Sequence, residues 1–336
     1  WGKHCYISEN YHKLDNFNEL FANRKALPTT FNDIQNRLES KILSKKVSKF
    51  YQSHKNSKIK LMQAAFQLLI LSDNSNEKTH YTYYGRKKLK VLLSEINNSI
   101  KRWYRKKYID QNFLQEIIDD KPFIFLPLQQ EPERSLLLSA PDYKNQIETV
   151  EYVSKCLPEN FLLFVKEHPT QGSGRDWREI SQYKALQNNP KVRLIHPSVP
   201  ADEIIKKSKL VISVSGTIAL ESAFLNTPSI TIADNDYTLI PSISRLNSKN
   251  ELQGLIENSL EKKVEPSSIG KYLDILEENS FIFDYLEFQV SYFNHFYFGG
   301  NLVDVEISES HMKEFLIKKQ NLKNLAQEFK KRMIKN

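Results

Sequence analysis

At the stretch Lys121-Pro122-Phe123-Ile124-Phe125-Leu126-Pro127-Leu128-Gln129 the chain changes from helical to β-rich texture. Before it the chain is polar, rich in Asn and Lys, and spaces its apolar residues as helices do; at Lys121 short β-rich runs begin to alternate with helical patterns. Phe123 to Leu126 reads as a strand buried on both faces, since four successive apolar residues between prolines leave no side for water. Working outward, a helix pattern runs from about Tyr143 to Cys156, a strand from Phe161 to Val165, and a helix from near Asp176 to Leu186. A strand at Val192 to Ile195, a short helix at Ala201 to Lys207, a strand at Leu210 to Val214, a helix at Ile218 to Leu225 and a strand at Ser229 to Ile232 follow. Short strands separated by helices require crossover connections, and these produce a parallel sheet, so the fold class is α/β.

On the N-terminal side, Phe31 to Tyr51, Ser57 to Leu71 and the set Leu89, Leu92, Leu93, Ile96, Ile100 keep the helical period, ending in the basic, aromatic-interleaved run Lys101-Arg102-Trp103-Tyr104-Arg105-Lys106-Lys107-Tyr108. On the C-terminal side, helices are expected at Lys249 to Lys262 and Ile269 to Glu278. An aromatic-rich stretch from Phe281 to Phe298 is stopped by Gly299-Gly300, and a basic amphipathic tail runs from Ser308 to Asn336. The expected division is a mostly helical segment over 1–120, the sheet domain over 121–298 and a basic helical tail over 299–336. There are no internal repeats.

The 336 residues suffice for two domains. With 40% hydrophobic and 26% charged residues the chain is ordinary globular protein, which excludes disorder throughout. A net charge of +8 favours an anionic partner: nucleic acid, anionic lipid or a phosphorylated substrate. Cys5 and Cys156 lie far apart with no CxxC or Cys/His spacing, which argues against a disulfide scaffold and a zinc site and fits a reducing cytoplasm. The densest apolar run, Leu61 to Leu71, is shorter than a membrane span and contains Gln63 and Gln67. The chain opens on Trp1 without a signal-peptide pattern, and a first residue other than Met reads as a fragment.

Three constellations carry chemistry, each at the carboxyl end of an expected strand, where ligands of open α/β sheets bind. Ser215-Gly216-Thr217 joins a strand to a helix, so backbone N–H groups and the positive end of the helix dipole face outward to a phosphate, with Glu221 one turn later within reach of a ribose. The alternative is a plain joint in which Thr217 caps the helix. Lys166-Glu167-His168-Pro169 ends another strand; His168 can donate to a phosphate oxygen, or be a surface histidine in a turn. His196-Pro197 repeats the dipeptide after the next strand, an internal control against reading it as specific. Pro127-Leu128-Gln129-Gln130-Glu131-Pro132-Glu133-Arg134 is an unusually polar loop in which Glu133 can serve as an acid–base group or orient one, or in which Arg134 pairs with a glutamate in solvent. Asp234-Asn235-Asp236-Tyr237 reads as an Asx-rich turn rather than a metal site.

Taken in this order, the pieces resemble the capsule polysaccharide biosynthesis family of glycosyltransferases, which includes β-Kdo transferases. The resemblance rests on Pro127, Leu128, Pro132 and Glu133; on Lys166 to Pro169; on Ser215, Gly216, Thr217 and Glu221; and on Pro228 and Tyr237. It covers residues 120–240. It implies a GT-B architecture, two Rossmann-like domains facing across a cleft with the C-terminal one holding a nucleotide-sugar, and no metal or bound cofactor. It also implies a CMP-linked ulosonic acid such as Kdo as donor and a glycan or glycolipid as acceptor. Lys166, His168, Ser215, Gly216, Thr217 and Glu221 would bind the donor, with His168 and Glu133 catalytic. Two features depart from the family: Glu131 stands where glutamine is often found, and the first 120 residues are short and helical for a complete Rossmann domain. Ile7-Ser8-Glu9-Asn10 resembles an acceptor-side Glu-Asn-Gly loop, but Tyr11 occupies the glycine position.

Arg86 to Lys107 and the Lys313 to Lys335 tail can lie against the inner face of an anionic membrane, or be solvated helix faces. The rival readings are polyol-phosphate transfer from a CDP-linked donor, as in teichoic-acid polymerases, and a non-catalytic nucleic-acid- or membrane-binding protein. His295 and His311 lack the setting of the second histidine motif expected for the former, and no nucleic-acid-binding module is recognisable for the latter.

Overall fold

The computed structural model describes residues 4–8, 14–39, 58–71, 87–117, 121–169, 171–174, 176–302, 305–317 and 321–333. Their strands in chain order are β1 (His4–Cys5), β2 (Phe123–Pro127), β3 (Leu162–Lys166), β4 (Val192–Ile195), β5 (Leu210–Ser213), β6 (Ser229–Thr231), β7 (Ile243–Arg245) and β8 (Phe281–Ile282). The chain divides into two compact units: Ser8–Ser40 with Arg102–Glu278, and Trp1–Ile7 with Lys41–Lys101 and Asn279–Asn336. The sheet unit thus takes in residues on both sides of the boundary expected at 120.

In the sheet unit, β2 to β7 form a six-stranded, wholly parallel sheet in the order β4-β3-β2-β5-β6-β7. Alternation along each strand serves two cores. Ile124, Leu126, Leu163, Val165, Ile212 and Val214 pack on one face with the helices Gln146–Lys155 and Ile180–Gln187; Phe123, Phe125, Leu162, Phe164 and Val211 pack on the other with Ile204 and Ile205 of Ala201–Lys207. Coverage of both faces is why the central strands carry no polar residue until their carboxyl ends. The α/β parallel sheet read from the sequence is therefore present.

The expected β2 to β6 appear with ends shifted by a residue or so. Two helices start later than their periodicity indicates. Gln146–Lys155 begins after Asn145, whose side chain accepts from the Glu148 N–H. Ile180–Gln187 begins after Glu179, which forms a capping box with Gln182, and the expected first turn is lost because Arg178 turns into the protein. β7 was not anticipated: three residues, Ile243-Ser244-Arg245, at a sheet edge leave no alternation to read.

In the other unit β1 and β8 pair antiparallel, Ala64, Leu68, Val91 and Leu302 form a small core, and Phe288, Tyr292, Phe296 and Phe315 stack together. The tail forms the helices Glu309–Ile317 and Asn321–Met333. Among the described residues no helix is long and apolar enough to cross a membrane. The helix expected from Phe31 to Tyr51 is described only to Glu39, and Glu9 and Asn10 lie outside the described residues.

Candidate functional site

The winding of the sheet reverses at β2. The chain runs outward from β2 through β3 to β4, then returns to set β5 on the opposite side of β2 before continuing to β6 and β7. Crossovers leaving β2 and β5 run to opposite faces, so a crevice opens beyond their carboxyl ends, the position of ligands in such sheets. The register pairs Pro127 with Lys166, Phe125 with Val211 and Ser213 with Thr231, so β3, β2, β5 and β6 end at one level. The loops bearing His168, Glu133, Gly216 and Tyr237 therefore stand side by side on one edge. Only β2 separates β3 from β5, a span of about 10 Å.

On the β5 side, Gly216 donates its N–H to Ser213 Oγ at 3.1 Å, and its carbonyl accepts from the Tyr237 hydroxyl at 3.0 Å, itself held by Asn235 Nδ2 at 2.7 Å. The glycine N–H is thus engaged inside the turn rather than presented to a ligand. Ser215 differs: its Oγ is buried and has no hydrogen-bond partner among the described residues. Thr217 precedes the helix Ile218–Phe224 with αR backbone and makes no side-chain cap; its hydroxyl donates to Glu221 Oε1 at 2.8 Å. Burial pushes the Glu221 carboxyl up and the Thr217 hydroxyl pulls it down, with burial prevailing. The sequence alternative of Thr217 as a helix cap is not what forms. Burial also raises the Tyr237 phenol to about 12, so it stays a neutral donor to Gly216.

On the β3 side alternation splits a four-residue motif between two faces. Lys166 follows Leu162 and Phe164. It is 5% exposed, and its amine makes no hydrogen bond or ion pair among the described residues. Burial lowers its pKa to about 8, opposed by the charge of Asp202. His168 is pushed down by burial and then by the Lys166 charge, which favours neutral imidazole at neutral pH. Glu167 follows Leu163 and Val165 to the other face. There it accepts from Arg178 Nε at 2.8 Å, from the Tyr183 hydroxyl at 2.8 Å and from the His168 backbone N–H at 2.9 Å. Burial raises its pKa, while these three donors hold the anion.

The β2 loop is fixed from behind. Gln146 accepts the Gln129 N–H at 2.5 Å and donates to the Gln129 carbonyl at 3.1 Å and to Glu131 Oε1 at 2.5 Å. Gln171 accepts from the Glu131 N–H and donates to its carbonyl. Arg178, buried, joins Glu131 Oε2, the Gln129 carbonyl and Glu167. One guanidinium thus ties the β2 loop to the end of β3. Glu133 lies outside this web: it is half-buried, it precedes the helix Arg134–Ser139 with extended backbone, and its side chain caps nothing.

Lys166, His168, Ser215, Gly216, Thr217 and Glu221 thus gather on one edge of the sheet, with Glu133 in the loop of the intervening strand. Sequence reasoning missed Arg178, Gln146, Gln171 and Tyr183, which lie in or beside helices with nothing in their spacing to mark them. The control histidine resolves as structural: His196 Nδ1 meets Ser198 Oγ at 2.6 Å and Nε2 meets Asp110 Oδ1 at 3.0 Å. Asp234 pairs with Arg245 and Asp236 accepts the Leu14 N–H, so both carboxylates are committed to the turn. Among the described residues no three His, Cys, Asp or Glu gather as a metal site.

The profile of the family described as capsule polysaccharide biosynthesis protein matches residues 36–240, more than half of the chain. No curated protein matches. Among solved structures, the β-Kdo 2,7 transferase KpsC of Thermosulfurimonas dismutans is 14% identical, over 67% of this chain and 56% of that one, with a TM-score of 0.34. The UDP-GlcNAc 2-epimerase of Methanocaldococcus jannaschii is 19% identical, over 52% and 49%, with a TM-score of 0.35. The chain spans about half the length of the solved structures it matches.

Proposed function

The chain belongs to the capsule polysaccharide biosynthesis family, and from that premise we propose that it transfers Kdo or a related ulosonic acid from a CMP-linked donor to a glycan or glycolipid acceptor. In this reading the sheet unit is the donor half of a GT-B enzyme. The observation that carries the proposal is a pair of polar groups left unmatched at the switch point: the buried Ser215 hydroxyl, and the amine of Lys166, a residue 5% exposed that makes no hydrogen bond or ion pair among the described residues. Buried polar groups are nearly always satisfied, and an anionic oxygen between β3 and β5 would satisfy both.

The chemistry assigned to these residues is electrostatic. The acceptor hydroxyl oxygen forms the new bond to the anomeric carbon as the bond from that carbon to the CMP phosphate oxygen breaks; the electron pair departs with the phosphate, and the hydroxyl proton passes to a base. Lys166 and the His168 imidazole face the charge that grows on the phosphate, which lowers the barrier more than it tightens ground-state binding. Ser215 holds the same group, and Thr217, whose hydroxyl donates to Glu221, fixes the carboxylate that orients the ribose. Glu133, whose side chain makes no hydrogen bond or ion pair among the described residues, takes the part nearest the sugar. Glu167 holds the backbone of His168. The basic stretches Arg86 to Lys107 and Lys313 to Lys335 would rest on an anionic membrane surface.

Calorimetric titration with CMP, CDP, UDP and GDP tests the proposal. CMP is expected to bind tightest, His168→Ala to weaken it by about tenfold or more, and His196→Ala to leave it unchanged. Preference for CDP would favour polyol-phosphate transfer, and equal CMP affinity in His168→Ala and wild type would remove the role of His168.

A further inference from the structure

Gln129 belongs to no assignment made so far, and its two halves are treated very differently by the fold. Its backbone is saturated: the N–H is accepted by Gln146 Oε1 at 2.5 Å, and the carbonyl takes bonds from Gln146 Nε2 at 3.1 Å and from the Arg178 guanidinium at 3.2 Å. Both partners are themselves buried. Its side chain, by contrast, is only 7% exposed, yet its terminal amide makes no hydrogen bond among the described residues. A primary amide has two donors and an acceptor; its polar atoms are not sealed in the core, so their bonding capacity stays open to a ligand in the crevice.

The amide also has a definite address. It leans across from β2 to the β5 loop, so that a Cβ built on Gly216 would lie 2.9 Å from Gln129 Nε2 and 3.4 Å from Oε1. A side chain at 216 would push the amide out of this position. The amide therefore sits at the switch point, between the strand ends that carry Lys166 and Ser215. A polar side chain that is nine-tenths buried, unpartnered and fixed at its root is built for a ligand rather than for the fold.

We propose that Gln129 is a ligand-contacting residue, whose terminal amide donates to a phosphate oxygen of the nucleotide over Gly216. This deepens the donor-site reading above and rests on it. A phosphate is the ligand group indicated because the neighbouring unmatched groups, an amine and a hydroxyl, are donors as well.

The test is calorimetric titration of CMP into wild type, Gln129→Leu and Gln129→Glu, with the 31P shift of bound CMP recorded for each. Thermal melting and circular dichroism establish that the variants fold. Gln129→Leu is expected to bind CMP about tenfold more weakly and to move the 31P resonance. Gln129→Glu should bind more weakly still, with a deficit that shrinks as salt is added. A CMP affinity in Gln129→Leu within about twofold of wild type, or a weakened affinity with an unmoved 31P shift, would overturn the assignment. The juxtaposition has its own test. Gly216→Ala should weaken CMP strongly in wild type and much less in a Gln129→Ala background, and an equal loss in both would refute it. Failure of wild type to bind CMP would instead count against the donor assignment, and this inference would fall with it.

Discussion

Replacing Arg178 by Met keeps length and apolar volume while deleting the cation that serves Glu167, Glu131 and the Gln129 carbonyl. The Arg178 side chain is 3% exposed and that of Glu167 is 0% exposed, so the carboxylate cannot recover its lost partner from water. Removing one member of a buried pair leaves an uncompensated charge, a loss of about 3–5 kcal/mol. The Tyr183 hydroxyl and His168 N–H still hold Glu167, which argues for the lower end of that range. The exposed pair Arg24–Glu278 is the comparison, and Arg24→Met should lose far less. Urea unfolding followed by tryptophan fluorescence measures both. The pH dependence separates lost charge pairing from lost packing. Burial already raises the Glu167 pKa in the folded protein, and without Arg178 it rises further. A carboxyl whose folded pKa exceeds its unfolded value favours the folded state at low pH and costs stability as pH rises through the folded pKa. The gap between wild type and Arg178→Met should therefore narrow from pH 7.5 to about pH 5. A gap below about 1 kcal/mol at pH 7.5, or one that widens on acidification, would show that Glu167 does not depend on Arg178 for its charge.

Lys166 supplies a pH-dependent prediction of a different kind. With its pKa held near 8, its charge is present at neutral pH and lost as pH rises through about 8. CMP affinity should then fall across that interval in wild type, whereas Lys166→Met should be weak and flat over it, as read by calorimetry from pH 6.5 to 9.5. For the basic stretches, sedimentation with liposomes should carry the protein down with anionic lipid and not with neutral lipid, with binding lost at high salt. Equal recovery with both lipids would count against membrane contact.

The sheet was legible because its strands are buried on both faces. Phe123 to Leu126 and Leu210 to Ile212 have no polar residue to blur them, and each is followed by a helix whose period is clear. The strand ends were legible too, because Lys166-Glu167-His168-Pro169 and Ser215-Gly216-Thr217 interrupt apolar runs with polar groups. What the sequence hid was the support. Gln146 and Tyr183 lie on helices that a hydrophobic pattern describes adequately, and Arg178 looks like one more solvated cation before a helix. Their importance lies in partners well beyond a helical turn in sequence, 47 residues for Arg178 to Glu131 and 16 for Tyr183 to Glu167, and side-chain separations of that kind leave no local period. The relative weight of the two loop glutamates was hidden for the same reason: Glu131 is the one built into the protein, while Glu133 makes no cap bond and no ion pair among the described residues.

Glu131 also bears on whether this loop tolerates an anionic ligand. As a free carboxylate beside a phosphate it would raise the cost of binding, which is the difficulty posed by its standing where the family often has glutamine. Its charge does not act alone. Oε2 is paired with Arg178 and Oε1 accepts from Gln146, so the carboxylate is directed behind the loop and neutralised there. Arg178 is shared with Glu167, leaving two carboxylates to one guanidinium, and the remaining positive charge is Lys166 on the opposite face at the same strand end. Summed over these four groups the charge is zero, but its distribution is not: both carboxylates are tied to Arg178, while the amine makes no ion pair among the described residues and feels the charge of Asp202 at longer range. A phosphate arriving from the Lys166 side meets the cation first, with the negative charges held behind by Arg178. The substitution of glutamate for glutamine is then compatible with an anionic donor for as long as Arg178 is in place, and the same arginine fixes the backbone from which Gln129 extends.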